Sequence, residues 1–328
     1  TSGANNTGIG RGSLDANTTA SDNTAVGMNA MFANTTGTEH VAVGSLALDA
    51  NTTGNYNTAV GYNALTTNTT GDENTAVGNS ALKLNTTGEY NTAHGLGSLQ
   101  QNTTASNNTA VGHLALYTNT TGAANVAVGT NTLKVNTTAD SNNAFGRRAL
   151  YTNTTGAQNT ALGYLSLYLN TTASYNTSVG VSSMQSNTTG AKNTSVGYGA
   201  LTSNTTGTEN VVVGEVALDA NTTGNYNTAI GRHSLSSNTT ASNNTAVGRN
   251  ALGDDTTGGG NTAVGKDAGD TITTGTGNTI MGNLADVDAV GAANRIALGN
   301  QVICQSDNRI TVGAGGTVAS LEIDGSDT

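Results

Sequence analysis

The tripeptide Asn-Thr-Thr begins at positions 17, 34, 51, 68, 85, 102, 119, 136, 153, 170, 187, 204, 221 and 238, a strictly constant interval. Asp255 and Ile272 carry the register onward with their own Thr-Thr. A second column, typified by Asn-Thr-Ala-Val-Gly at 23–27, recurs with the same step in 18 copies from Asn6 to Arg295. A fixed period of this length excludes a fold built on one wide core. Each repeat is too small to bury its own apolar face, so stability must come from stacked neighbours, and the sequence predicts a solenoid with one rung per repeat.

The unit is N-T-A-V-G-x-x-A-L-x-x-N-T-T-G-x-x, and its positions are called columns 1 to 17 below. Column 5 is Gly in all 18 copies, Gly10 through Gly299. Invariance across repeats of one chain points to a backbone requirement: positive φ at a corner, or close approach of another strand where no Cβ fits. Such approach is expected to extend to the packing of three chains. Column 4 is Val in most copies, with Ile9, Phe145, Leu162, Ile230, Met281 and Leu298 as apolar variants and His94 as the polar exception. Column 9 is Leu or Met from Leu14 to Leu252, and columns 3 and 8 are mostly small. The expected core of a rung is therefore narrow: the side chains of columns 4 and 9, plus two small ones.

Thr and Val favour strand over columns 1 to 5, Asn and Gly favour turns, and Asn, Thr and Gly serve a helix poorly. Columns 8 and 9 fit a second short strand or a single helical turn equally well. The expected fold class is all-β, a parallel β-solenoid of the β-roll or β-helix kind, over residues 1–282. Over 283–328 the unit decays, with Arg-Ile-Ala-Leu-Gly at 295–299 and Arg-Ile-Thr-Val-Gly at 309–313 only 14 apart, as in a C-terminal cap or neck. At about 4.8 Å per rung, 18 rungs predict a rod of roughly 85 Å.

Composition narrows the chemistry. A net charge of −10 with only 11 Lys and Arg argues against binding nucleic acid, which needs clustered cations. Cys304 stands alone, with no disulfide partner and no zinc-ligand spacing. No run approaches the roughly 18 apolar residues of a membrane span. Gly258-Gly259-Gly260 lacks the Lys-Ser/Thr of a phosphate loop. Acidic residues fall mostly in columns 16 and 17, as solvated turn charges, and adjacent pairs such as Asp72-Glu73 and Asp254-Asp255 are expected to face apart rather than converge. With four isolated His residues and no Ser-His-Asp or Cys-His set, the chain reads as a non-enzyme without cofactor or metal.

The Asn-Thr-Thr column carries three readings. The first is structural: stacked Asn amides bonding to each other and to turn backbone. The second is a row of glycosylation acceptors, which would crowd at about 5 Å spacing. The third is an ice-binding Thr array, although adjacent Thr at columns 13 and 14 point to opposite sides of a strand. All ten tyrosines occupy variable columns: 6, 10 or 17. Tyr151, Tyr164, Tyr168 and Tyr175 fall within about one and a half rungs and form the candidate surface-binding group, since exposed aromatics with polar tips suit saccharide faces and protein hot spots. His94 is the candidate buried or axial polar residue.

Asn-Thr-Ala-Val-Gly-Tyr-Asn-Ala-Leu at 57–65 and its copies resemble the head repeats of trimeric autotransporter adhesins, short rungs that build three-chain parallel β-rolls. They are still more similar to the shaft repeats of tailed-phage tail fibres. In that group a segment like Asn294-Arg295-Ile296-Ala297-Leu298-Gly299-Asn300 is normally followed by a self-cleaving intramolecular chaperone. The period of 17 departs from the 14 usual in the adhesins. The resemblance implies a homotrimer serving as a fibre shaft or adhesin on a virion tail fibre, meeting a host-surface glycan or protein, with no nucleic acid and no membrane insertion. A bacterial trimeric surface adhesin and an ice-binding solenoid are the alternatives.

Overall fold

The computed structural model describes residues 3–315 and 317–322. The chain is an all-β parallel β-solenoid with one rung per sequence repeat, divided into two compact units that meet in sequence at Tyr164 and Leu165. In the first unit, three-residue strands run from β1 (Thr7–Ile9) to β10 (Thr160–Leu162). Along this run neighbouring strands pair in parallel, each with its counterpart one repeat on, so that Thr24, Ala25 and Val26 lie opposite Val41, Ala42 and Val43. In the second unit, β11 (Thr177–Val179) to β17 (Thr279–Met281) repeat the arrangement. The same step then takes β17 to β19 (Ile296–Leu298), so the ladder continues past residue 282. A short side pair forms between β18 (Asp286–Val287) and β20 (Ile303–Cys304). The shortened step separates only β19 from β21 (Arg309–Ala314), and β22 (Thr317–Glu322) folds back antiparallel on β21.

Strand alternation decides what is inside. With only columns 2, 3 and 4 extended, column 3 points inward and columns 2 and 4 point outward. Ala25, Ala59 and Ala110 are fully buried, whereas the column-4 residues Val43, Phe145 and Leu162 of the first unit and Val213, Ile230 and Met281 of the second are exposed. This corrects the expectation that column 4 fills the core. The interior is instead column 3, column 8 and the buried column-9 Leu or Met, such as Leu116 and Met184.

The column-5 glycine meets both requirements at once. Gly112 has φ +129°, and a Cβ there would lie 2.6 Å from the carbonyl oxygen of Gly129. The backbone that crowds it is the next rung of the same chain, so the invariance needs no approach of three chains. Columns 8 and 9 form neither strand nor helix; they lie in a run of turns in which Leu116 sits at φ +51°, its N–H donating to Thr132 O at 3.0 Å in the following rung. Leu114 in column 7 and Ala124 in column 17 are also left-handed, at φ +53° and +56°. Each such residue costs roughly 1 kcal/mol or more, and the hydrogen bonds that offset the cost run to neighbouring rungs.

Polar ladders complete the interior. In column 12, Asn136 Nδ2 donates to Asn119 Oδ1 at 2.8 Å, and Asn119 Nδ2 donates to Asn102 Oδ1 at 3.1 Å and to Gly122 O at 2.8 Å. These amides are buried and engaged, which overturns the glycosylation reading for them. Column 1 forms a second ladder that its turn-forming Asn does not announce in the sequence. The backbone N–H of Asn125 donates to Asn108 Oδ1 at 3.0 Å, while Asn108 Nδ2 donates to Gly122 O at 3.0 Å. Two amides thus converge on one column-15 carbonyl. Asn119→Ala is expected to strand these partners and cost about 1–3 kcal/mol, measured by denaturant unfolding. Asn17→Ala should cost less, because Asn17 is only half-buried and makes a long 3.4 Å bond to Ala20 O.

Candidate functional site

The four candidate tyrosines divide between the two units. Tyr151 and Tyr164 belong to the first, Tyr168 and Tyr175 to the second. Tyr151 is half-buried in a basic setting that the spacing of the tyrosines gives no sign of: Lys134 Nζ lies 5.8 Å from its ring centre and the Arg148 guanidinium 6.0 Å. Tyr164 is exposed with the Arg147 guanidinium 5.6 Å from its ring. These cations already occupy ring faces, at a gain of about 0.5–1 kcal/mol each for exposed pairs. In the second unit Tyr168 is half-buried and Tyr175 is exposed.

His94 is not interior. It ends β6 (Thr92–His94) on the outward face, in register with Val77 and Val111, and is exposed on the chain. Column 4 faces out, so its one polar member does too.

The buried histidine is His40, a column-1 residue where its neighbours have Asn. Its Nδ1 accepts from the Asn57 backbone N–H at 3.0 Å, as an Asn Oδ1 does elsewhere in the ladder, and its Nε2 lies 3.2 Å from Asn51 Nδ2 of the column-12 ladder. The imidazole therefore takes over the acceptor role that a column-1 carboxamide oxygen plays elsewhere. Burial lowers its pKa to about 4 from 6.5. The unfolded chain binds the proton more readily, so this contribution to stability is complete above about pH 6.5 and is lost as pH falls toward 4, by about 3 kcal/mol in total. His40→Asn should remove that acid-side slope, seen in melting temperatures recorded between those two pH values. The deviation from Asn at column 1 is visible in the sequence; what hides its meaning is that column 1 reads as turn rather than as interior.

Two further ladder positions carry charge, both in the second unit. Asp255 replaces the column-12 Asn and is fully buried, while its neighbour Asp254 is exposed, so the pair does face apart. The Gly258 N–H donates to Asp255 Oδ1 at 2.8 Å, and burial pushes the carboxyl up to about 7. Arg295 replaces the column-1 Asn at the start of β19. Its guanidinium donates to Asp307 Oδ1 at 2.6 Å, Asp288 Oδ1 at 2.6 Å and Cys304 O at 2.9 Å, tying the side pair β18–β20 to the main ladder. Arg295 thus holds the rung where the repeat length changes, a role its sequence position at the shortened step foreshadows.

A polar surface cleft in the second unit is lined by Arg232, His233, Arg249, Asn250, Asp254 and Asp270. Its cations are already paired, Arg232 with Glu215 at 3.2 Å and Arg249 with Asp267 at 3.4 Å. Among the described residues no three His, Cys, Asp or Glu side chains group as metal ligands would, and no helix is long and apolar enough to cross a membrane. A scan against protein-family models finds no match to this chain, and a search of curated proteins finds no similar sequence.

Proposed function

We propose that the chain is a section of a homotrimeric fibre, the shaft or adhesin of a phage tail fibre that attaches to a host cell surface. The observation that carries this reading is the outward face of columns 2 and 4. In each unit it sets Thr and an apolar side chain on most strands, in register, with Phe145 39% exposed and Met281 45% exposed. Contiguous apolar surface of this kind is uncommon on soluble monomers and marks an interaction face. The surface that matches such a period rung for rung is another copy of the same repeat, and a structural role suits a chain whose buried charges serve ladders. His94 then meets its counterparts at the shared face.

Light scattering is expected to give a species of three times the mass of one chain, and Val111→Asp on the outward face should dissociate it. A stable wild-type monomer would overturn the reading. A monomer that also inhibits ice growth would favour the ice-binding alternative. The column-13 hydroxyls weigh against that alternative, since they are spent on the next rung, as in Thr52 Oγ1 to Thr69 O at 3.0 Å. Of the Asn-Thr-Thr hydroxyls only those of column 14 are left, in single file. A bacterial surface adhesin is distinguished from a virion fibre by locating the protein on purified particles or on cells.

A further inference from the structure

The turn edge of the first unit carries a pattern in columns 16 and 17 that the fibre role does not use. Over successive rungs the pairs are Thr38-Glu39, Asn55-Tyr56, Asp72-Glu73 and Glu89-Tyr90. Tyr56 and Tyr90 are 53% and 51% exposed, and Glu39 and Glu73 are exposed beside them. Tyr56 and Glu73 line a shallow surface depression. Column-16 side chains fix this edge to the backbone: the Asn55 N–H donates to Asp72 Oδ1 at 2.6 Å, the Thr38 N–H to Asn55 Oδ1 at 3.1 Å, and the Glu89 N–H to Ser106 Oγ at 3.0 Å. None of Glu39, Asp72, Glu73 and Glu89 takes part in an ion pair found among the described residues. By contrast, the corresponding column-17 stretch of the second unit, Tyr175, Lys192, Glu209 and Tyr226, has its own cation, with Lys192 3.6 Å from Glu209.

We propose that the edge from Glu39 to Tyr90 binds a linear cationic polysaccharide, a polymer of amino sugars with free amines. Tyr56 and Tyr90 stand two rungs apart, about 10 Å at the usual strand spacing. That is the length scale of one disaccharide in an extended chain, so alternate sugars stack on successive rings while the intervening amine lies at Glu73. Sugar faces suit exposed aromatic rings, protonated amines gain from both ring faces and carboxylates, and four carboxylates without a salt-bridge partner in a chain of net charge −10 select a cation over an anion. The inference concerns a different edge from the outward strand face and stands whether or not that face joins three chains.

Titration calorimetry of the intact protein with a glucosamine hexamer tests it, in mildly acidic buffer that keeps the amines protonated. Binding is expected, at least about tenfold tighter than for the N-acetylglucosamine hexamer, which has the same length and no charge, and about tenfold weaker in the double variant Tyr56→Ala, Tyr90→Ala. Glu73→Gln should also weaken it and reduce its salt dependence. The replacements fit the fold, because Ala124 and Gln158 occupy the same column with φ +56° and +59°, so melting temperatures should stay at the wild-type value. No binding of the glucosamine hexamer, equal binding of the neutral hexamer, or affinity untouched by the double tyrosine variant would each overturn the proposal. Binding of hexalysine as tightly as the amino sugar would overturn the saccharide assignment.

Discussion

Gly112→Ala is expected to destabilise the first unit by about 2–6 kcal/mol, the sum of a backbone cost and a packing cost. A φ of +129° is a conformation that L side chains rarely adopt, which costs about 1–3 kcal/mol. The added Cβ also meets Gly129 O at 2.6 Å and Gly129 C at 2.7 Å. Both are backbone atoms and cannot swing aside, so the rungs must separate, an overpacking cost of about 1–3 kcal/mol more. Denaturant unfolding measures the sum, and hydrogen exchange at the Val111 and Val128 amides should show the damage centred there. Thr121→Ala, on the exposed column-14 row, is the control with an effect near zero. A loss below about 1 kcal/mol for Gly112→Ala would mean that the rungs part freely and that the column-5 invariance has some other cause.

Asp255→Asn should produce the largest gain. The folded chain holds the Asp255 proton far more tightly than the unfolded chain does, its pKa rising from 3.8 to about 7 through burial. A raised acid pKa places the stabilising contribution below about pH 4 and removes it as pH rises toward 7, by up to about 4 kcal/mol at about 1.36 kcal/mol per unit. An amide at this position takes no part in that titration and supplies the donor that the column-12 ladder otherwise lacks. At pH 8 the variant is expected to exceed the wild type by about 2–4 kcal/mol, and at pH 4 the advantage should vanish. Equal stability of the two proteins across this range would show that Asp255 is ionised at little cost.

The period of 17, the parallel stacking and the Asn ladder of column 12 were legible because nearly every copy restates them. Register is a sequence property, and identical neighbours leave little choice of partner. What misleads is composition read without geometry. Val in column 4 looks like core and Asn in column 1 looks like turn, yet alternation sets columns 2 and 4 on the face opposite column 3, here the outward one, and the carboxamides of columns 1 and 12 find partners enough along their ladders and at shared turn carbonyls to be buried. The run of left-handed Leu and Met in column 9 was also illegible, since such residues avoid that region unless neighbours impose it. Among the candidate residues, the tyrosines do lie in variable columns; Lys134 and Arg147 precede Tyr151 and Tyr164 by one repeat in the same columns, 10 and 6, a proximity the period implies, whereas the approach of Arg148 from column 7 is revealed only by the three-dimensional turn. His94 stands out as the odd residue of an outward column, while the substitution with thermodynamic consequences, His40, lies in a column that reads as surface.

The antiparallel return of β22 onto β21 governs how far the ladder can propagate. Every earlier main-ladder strand of the second unit presents its edge to a parallel successor, the kind of edge on which, if left open, another copy's first rung would add in line, as a growing filament adds subunits. At β21 the direction reverses after a shortened step, and Arg295, gripped by Asp288 and Asp307, holds that change in place. A full-length parallel rung finds a neighbour of opposite direction there, so the parallel ladder does not extend through β22, and its length up to that point is set by the sequence rather than by concentration.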